Sequence, residues 1–124
     1  MTVDVLLLGA AQDGGFPQFG CFCHNCRQAY GDLIPSETAI SLALIDRKAG
    51  KWFLVEAAPQ LHEQWRRYAP QLEGLKLSGV LLTHAHTGHN PGLLFLGKES
   101  LNTSHVPVFA SPAMHDFLQV RAQY

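Results

Sequence analysis

A chain of 124 residues that is 47% hydrophobic and 15% charged can build one modest core and is too apolar for a disordered segment. Its formal charge of −1 gives no electrostatic reason to bind nucleic acid or an anionic membrane, and no apolar run approaches the length that spans a bilayer. The start, Met1 to Leu8, carries Asp4 and no Lys or Arg, the wrong charge for a secretory signal, so a cytoplasmic location is the default expectation.

Residues 2 to 8 alternate in polarity ahead of Gly9 and predict a first strand. The next stretch, from Ala10 to Gly20, holds Asp13, Gly14, Gly15 and Pro17 and reads as a long loop, a length uncommon without a task. Asn25 to Tyr30 predicts a short helix ended by Gly31. Thr38 to Asp46 (TAISLALID) and Lys51 to Ala57 (KWFLVEA) predict two strands of a hairpin, joined by the polar turn Arg47-Lys48-Ala49-Gly50. Pro59 suits the first turn of a helix running to about Tyr68, where Pro70 stops it. Leu61, Trp65 and Tyr68 share one face of that helix, and core packing accounts for them without a binding role for Trp65. Ser78 to Thr83 is the fourth predicted strand. Asn90-Pro91-Gly92 then opens an apolar helix through Leu93, Leu94, Phe95 and Leu96, and Val106 to Ala110 reads as a short strand. Ser111 followed by Pro112 makes an N-cap and first-turn pair for a last helix to the C-terminus. No repeat or linker divides the chain, so residues 1–124 read as one α/β domain.

The fourth predicted strand runs into His84-Ala85-His86-Thr87-Gly88-His89, three imidazoles within six residues. Neutral imidazole is a preferred ligand of zinc and other borderline first-row cations. The exit of a buried strand is also where a chain leaving a sheet builds a site. The spacing predicts a catalytic metal site on His84, His86 and His89, against the plainer alternative of a solvated histidine-rich turn. His62, His105 and His115 are expected to be ordinary surface or half-buried side chains.

The three cysteines all lie between residues 21 and 26, too compressed and odd in number for a disulfide framework. Cys21, Cys23 and Cys26 instead read as three thiolates around one structural zinc, which normally takes four ligands. A set of reduced thiols, or a redox pair at Cys23 and Cys26, is the alternative. His24 falls inside the knuckle with its ring expected to point away, and no fourth ligand is evident.

These segments resemble the metallo-β-lactamase-fold hydrolases, whose signature is H-x-H-x-D-H after a buried strand. Gly14-Gly15-Phe16-Pro17-Gln18, the cysteine knuckle, Ala58-Pro59 and Gly92-Leu93-Leu94 are most similar to the pyrroloquinoline-quinone biosynthesis protein B group. The knuckle also resembles that of the cyclic phosphodiesterases of the same fold. The resemblance implies an αββα sandwich of two facing sheets between helices. This chain would form its N-terminal half, one mostly complete sheet with flanking helices and a bare inner face. It further implies that His84 and His86 hold a first ion and that His89 faces a second. Gly88 stands where the signature has aspartate, and Asp13 is the candidate to supply the missing carboxylate, although an Asp-Gly pair more often marks an ordinary Asx turn. Glu56 reads equally as an acceptor for a histidine N–H or as a solvated charge at a strand end.

The function expected is a metal-dependent, zinc-using hydrolase of a small cytoplasmic metabolite with an ester, amide or phosphodiester bond, linked to pyrroloquinoline quinone biosynthesis. It would use a structural zinc at the knuckle and one or two catalytic ions, zinc or else iron or manganese. A non-hydrolytic metal-binding carrier or accessory protein, and an iron-dependent oxygen-using enzyme of the same fold, are the alternatives. The sequence expects a small-molecule substrate, with neither nucleic acid nor membrane as partner, and leaves the oligomeric state open.

Overall fold

A computed structural model describes residues 2–121. Its sheet holds five strands in sequence order: β1 (Asp4–Gly9), β2 (Ser41–Asp46), β3 (Lys51–Val55), β4 (Lys76–Leu81) and β5 (Val108–Phe109). The first three strands form an antiparallel meander. β4 and β5 then add in parallel, so each must be reached by a crossover. Helix α2 (Leu61–Leu72) makes the first crossover, and a 3₁₀ helix (Pro91–Leu96) with its following loop makes the second. Helix α1 (His24–Tyr30) lies in the long β1–β2 connection, and α3 (Pro112–Arg121) follows β5. The fold is α/β, as the sequence predicts.

Strand pairing sorts the side chains onto two faces. Leu6 lies beside Ala43 and Ile45 beside Trp52 on the face that α2 covers. There Leu54, Val80, Leu61, Leu72 and Met114 complete the core, and Trp65 packs at a tilt against Trp52 with ring centroids 5.7 Å apart. The opposite face carries Val5 opposite Leu44, Leu7 opposite Leu42, Leu44 opposite Phe53, and Leu81 opposite Phe109. Those residues are apolar yet incompletely covered, with Val5 64% and Phe109 52% exposed.

Several predicted boundaries move for physical reasons. Pro70 does not stop α2, which continues to Leu72. Leu72 extends the stripe of Leu61, Trp65 and Tyr68 by one further step of four and is buried, while Arg66, whose carbonyl loses its helical partner, faces solvent. Pro59 sits in a turn just ahead of α2, where Leu61 N–H bonds Ala58 O at 3.0 Å. Residues 38–40 leave the second strand because their backbone serves the 10–20 loop instead: Ala11 N–H bonds Thr38 O and Ile40 N–H bonds Ala11 O. The segment after Pro91 is 3₁₀ rather than α, and β5 shrinks to two residues. Ser111 caps α3 as expected, its Oγ accepting from Met114 N–H at 3.2 Å. The end of that predicted helix, residues 122–124, lies outside the described residues.

Candidate metal centre

The polypeptide leaves β4 through buried Leu82 and turns sharply over residues 83–90. His89 N–H closes the turn on His86 O at 3.1 Å. The buried amide of Asn90 braces it from within, donating to His86 O at 3.0 Å and Ala85 O at 3.3 Å. Backbone bonds from Ala57 N–H to His89 O and from Gly92 N–H to Ala57 O staple it to the exit of β3. The two parallel strands thus deliver their C-terminal ends to one place, where loops build sites in such sheets.

The three imidazoles meet there. Ring centroids lie 4.0 Å apart for His84 and His89, 4.6 Å for His84 and His86, and 6.5 Å for His86 and His89. His84 and His86 stand in solvent, whereas the His89 side chain is only 12% exposed. His84 Nδ1 pairs with Thr83 Oγ1 at 2.8 Å, which leaves its Nε2 for a ligand.

Two carboxylates flank the histidines. Glu56 follows β3 with a left-handed backbone (φ 63°), an uncommon conformation for a residue with a side chain. It is held in place from three sides. Its N–H bonds Leu81 O, its carbonyl accepts from Ser41 Oγ at 2.8 Å, and its Oε1 accepts from Thr83 N–H at 3.1 Å. Only 5% exposed, Glu56 is not a solvated strand-end charge. Its Oε2 lies 3.1 Å from His89 Nδ1 but out of line for a hydrogen bond, and both atoms are otherwise buried without a partner. Asp13 reaches over from the 10–20 loop, its Oδ1 3.2 Å from His89 Nε2 and its Oδ2 3.7 Å from His86 Nδ1. The turn it occupies is closed by the backbone, Gly15 N–H to Gln12 O at 2.8 Å.

This donor set suits a borderline divalent cation. Glu56 beside Nδ1 favours the tautomer that leaves the Nε2 lone pair of His89 free, the arrangement found behind metal-bound histidines. Asp13 then presents a carboxylate oxygen to that same nitrogen. Two donors about 2.1 Å from one tetrahedral ion stand about 3.4 Å apart, close to the observed 3.2 Å. Among the described residues only the cysteines bring three ligand atoms within 4.8 Å of one another. Here the close donor pair is His89 Nε2 with Asp13 Oδ1, and His84 and His86 stand beside it as the further residues that would hold an ion.

The cysteines form a separate group about the start of α1. The ligand atoms of Cys21, Cys23 and Cys26 all lie within 4.8 Å of one another, and among the described residues no other His, Cys, Asp or Glu joins that group. Cys23 occupies the N-cap position of α1, and its carbonyl accepts from Arg27 N–H at 2.9 Å. Tyr30 OH donates to Gln18 O and Arg27 Nε to Phe22 O, tying the knuckle to the helix. The backbone N–H of Cys26, with hydrogen bonds from Cys21 and Cys26, lowers the Cys23 thiol below its ordinary value. A backbone bond from Gln18 pulls Cys26 the same way, but burial and the two neighbouring sulfurs together raise it. Three soft donors of unequal acidity at one point match the chemistry of a thiolate zinc site. His24 is exposed at the start of α1. His62 packs beside Phe95, and His115 pairs with Asp116, so neither belongs to the histidine cluster.

Comparison with known proteins agrees with the fold. No protein-family model matches the chain. The coenzyme PQQ synthesis protein B of Stutzerimonas stutzeri is 34% identical over 99 residues, covering 74% of this chain and 32% of that protein. Zinc-bound PqqB from Methylobacterium extorquens superposes with a TM-score of 0.80 at 28% identity, over 96% of this chain and 40% of its own. A diphosphatase of the PhnP family superposes with a TM-score of 0.77 at 22% identity, over 99% and 47%, a likeness of fold alone. The chain spans about a third of the length of the curated relatives it matches. Among the described residues no helix is long and apolar enough to cross a membrane. By these relatives and solved structures, the chain belongs to the metallo-β-lactamase fold superfamily, beside the coenzyme PQQ synthesis B proteins.

Proposed function

We propose that this chain carries one half of the active site of a zinc-dependent hydrolase, acting in the cytoplasm on a small metabolite with an ester, amide or phosphodiester bond. We connect that activity with the supply of pyrroloquinoline quinone, because the relatives named above are PQQ synthesis proteins. The observation that carries the reading is the convergence of His84, His86 and His89 with Asp13 and buried Glu56 at the ends of two parallel strands. A zinc ion held there supplies Lewis acidity, polarising the scissile bond and making water nucleophilic near neutral pH. The protein's part is placement. Glu56 sets a buried carboxylate beside His89 Nδ1, Asn90 braces the turn, and His84 and His86 face the solvent from which substrate arrives. The knuckle takes a structural zinc that ties the 10–20 loop to α1. The incompletely covered apolar face of the sheet is the surface on which the second sheet of the domain packs, completing the cleft.

A second reading draws on one specific feature. Two histidines and a single carboxylate, here His86, His89 and Asp13, also match the ligand set of non-haem iron oxygenases. One experiment separates the two. The full-length protein, loaded with zinc or anaerobically with iron, is offered ester, amide and phosphodiester substrates, and oxygen consumption is followed in parallel. Hydrolysis by the zinc form that His89→Ala abolishes supports the first reading. Oxygen uptake by the iron form, with no hydrolysis by the zinc form, overturns it in favour of the second.

A further inference from the structure

The residue the signature lacks has left a mark on the packing. Gly88 is buried without a left-handed backbone, so its glycine is required by room and not by conformation. A Cβ there would overlap Asp13 Oδ1 and stand 2.8 Å from Asp13 Cα and 3.1 Å from its Cγ. Real Cβ atoms do not approach backbone that closely, so any side chain at 88 must displace the 10–20 loop. The space in which an aspartate side chain at 88 would begin is the space that Asp13 fills.

Its carboxylate is also held ready. Ala11, two residues before it, exchanges backbone bonds with Thr38 and Ile40, and Phe16, three residues after it, does so with Glu37. Between these anchors the loop sets Asp13 against the two histidines on either side of Gly88, one oxygen toward His86 and the other toward His89. Asp13 is 39% exposed on its side chain, so the pairing is not forced by burial.

We propose that Asp13 and Gly88 are a reciprocal exchange. Asp13 fills the space a side chain at 88 would enter and holds, with His89, the cation that an aspartate at 88 would otherwise hold. This deepens the proposed metal centre and rests on it. Asp13 is then a metal ligand, and Gly88 is the residue that leaves it room.

Zinc affinity tests this by competitive chelator titration of the full-length protein, with thermal unfolding of the metal-free forms alongside. Asp13→Asn keeps shape and polarity, so its metal-free melting should match wild type while one histidine-site ion binds at least about 10-fold more weakly. Gly88→Ala should weaken the same ion, and the double variant should bind no more weakly than either single one, because both act through one carboxylate. His89→Ala serves as the control that removes the ion. Asp13→Asn binding within about twofold of wild type, with His89→Ala losing the ion, overturns the exchange and leaves the centre standing. If His89→Ala also leaves binding unchanged, the centre itself fails, and the exchange with it. Should Gly88→Ala not fold, the Asp13→Asn result alone decides.

Discussion

Glu56→Gln tests whether the buried carboxylate beside His89 sets the tautomer of its ring. A glutamine can keep its carbonyl on Thr83 N–H, the 3.1 Å bond that Glu56 Oε1 now accepts. Its amide N–H₂ then faces His89 Nδ1, which Oε2 now approaches at 3.1 Å. Facing a donor, Nδ1 must become the acceptor, and the ring proton moves to Nε2. That proton then lies on the nitrogen 3.2 Å from Asp13 Oδ1, a contact not aligned as a hydrogen bond, while the bond to Thr83 N–H is kept. The variant should therefore unfold within about 1 kcal/mol of wild type when metal-free. With Nε2 protonated, zinc must first expel that proton, and affinity should fall about 10–100-fold, or about 1.4–2.7 kcal/mol. Chelator competition gives the affinity and urea unfolding of metal-free protein gives the stability. Zinc binding within about twofold of wild type would refute the assignment of Glu56 to the His89 ring. A loss of more than about 3 kcal/mol in the metal-free state would show that Glu56 serves the fold instead.

Three further outcomes follow from packing and chemistry. Gln64 is fully buried and donates to Thr38 Oγ1 and Ala39 O, both at 2.9 Å, so Gln64→Leu should cost about 2–4 kcal/mol in urea unfolding by stranding those acceptors. A cost below about 1 kcal/mol would contradict that account. Leu54→Ala empties a fully buried position between β2 and β4 and should cost about 2–5 kcal/mol, read by the same method. In metal-free protein the exposed, acidified thiol of Cys23 should alkylate well before buried Cys26, as read by peptide mass spectrometry. Zinc should protect both, and equal labelling rates with and without zinc would remove the knuckle from the metal sites.

What the sequence made legible is what depends on local pattern. The apolar runs SLALID and KWFLV flanking a polar turn predict a hairpin, and the structure pairs β2 and β3 antiparallel across that turn. The cysteine spacing alone suffices to gather three thiols, because six residues ending in a helical turn leave them nowhere else to go. The histidine cluster was visible for the same reason. Contributions from distant chain were only partly legible: the sequence offers Asp13 as the missing carboxylate and leaves Glu56 open between a histidine acceptor and a solvated charge. Asp13 lies far from His89 in sequence, and an Asp-Gly pair signals a turn with or without a partner across the site. Gly88 was the available clue, since a glycine inside the signature leaves a space that something must fill. The burial of Glu56 depends on a left-handed residue that no propensity predicts. Pro70 misled because a proline stops a helix only when nothing beyond it is worth burying, and Leu72 is.

Anomalous X-ray scattering at the zinc edge, from crystals of full-length protein grown with zinc, reports most directly on whether these side chains hold metal. The account predicts one peak within bonding distance of the Cys21, Cys23 and Cys26 sulfurs and at least one more between His89 Nε2 and the Asp13 carboxylate. A single peak at the cysteines, with the histidine rings bare at saturating zinc, would contradict it.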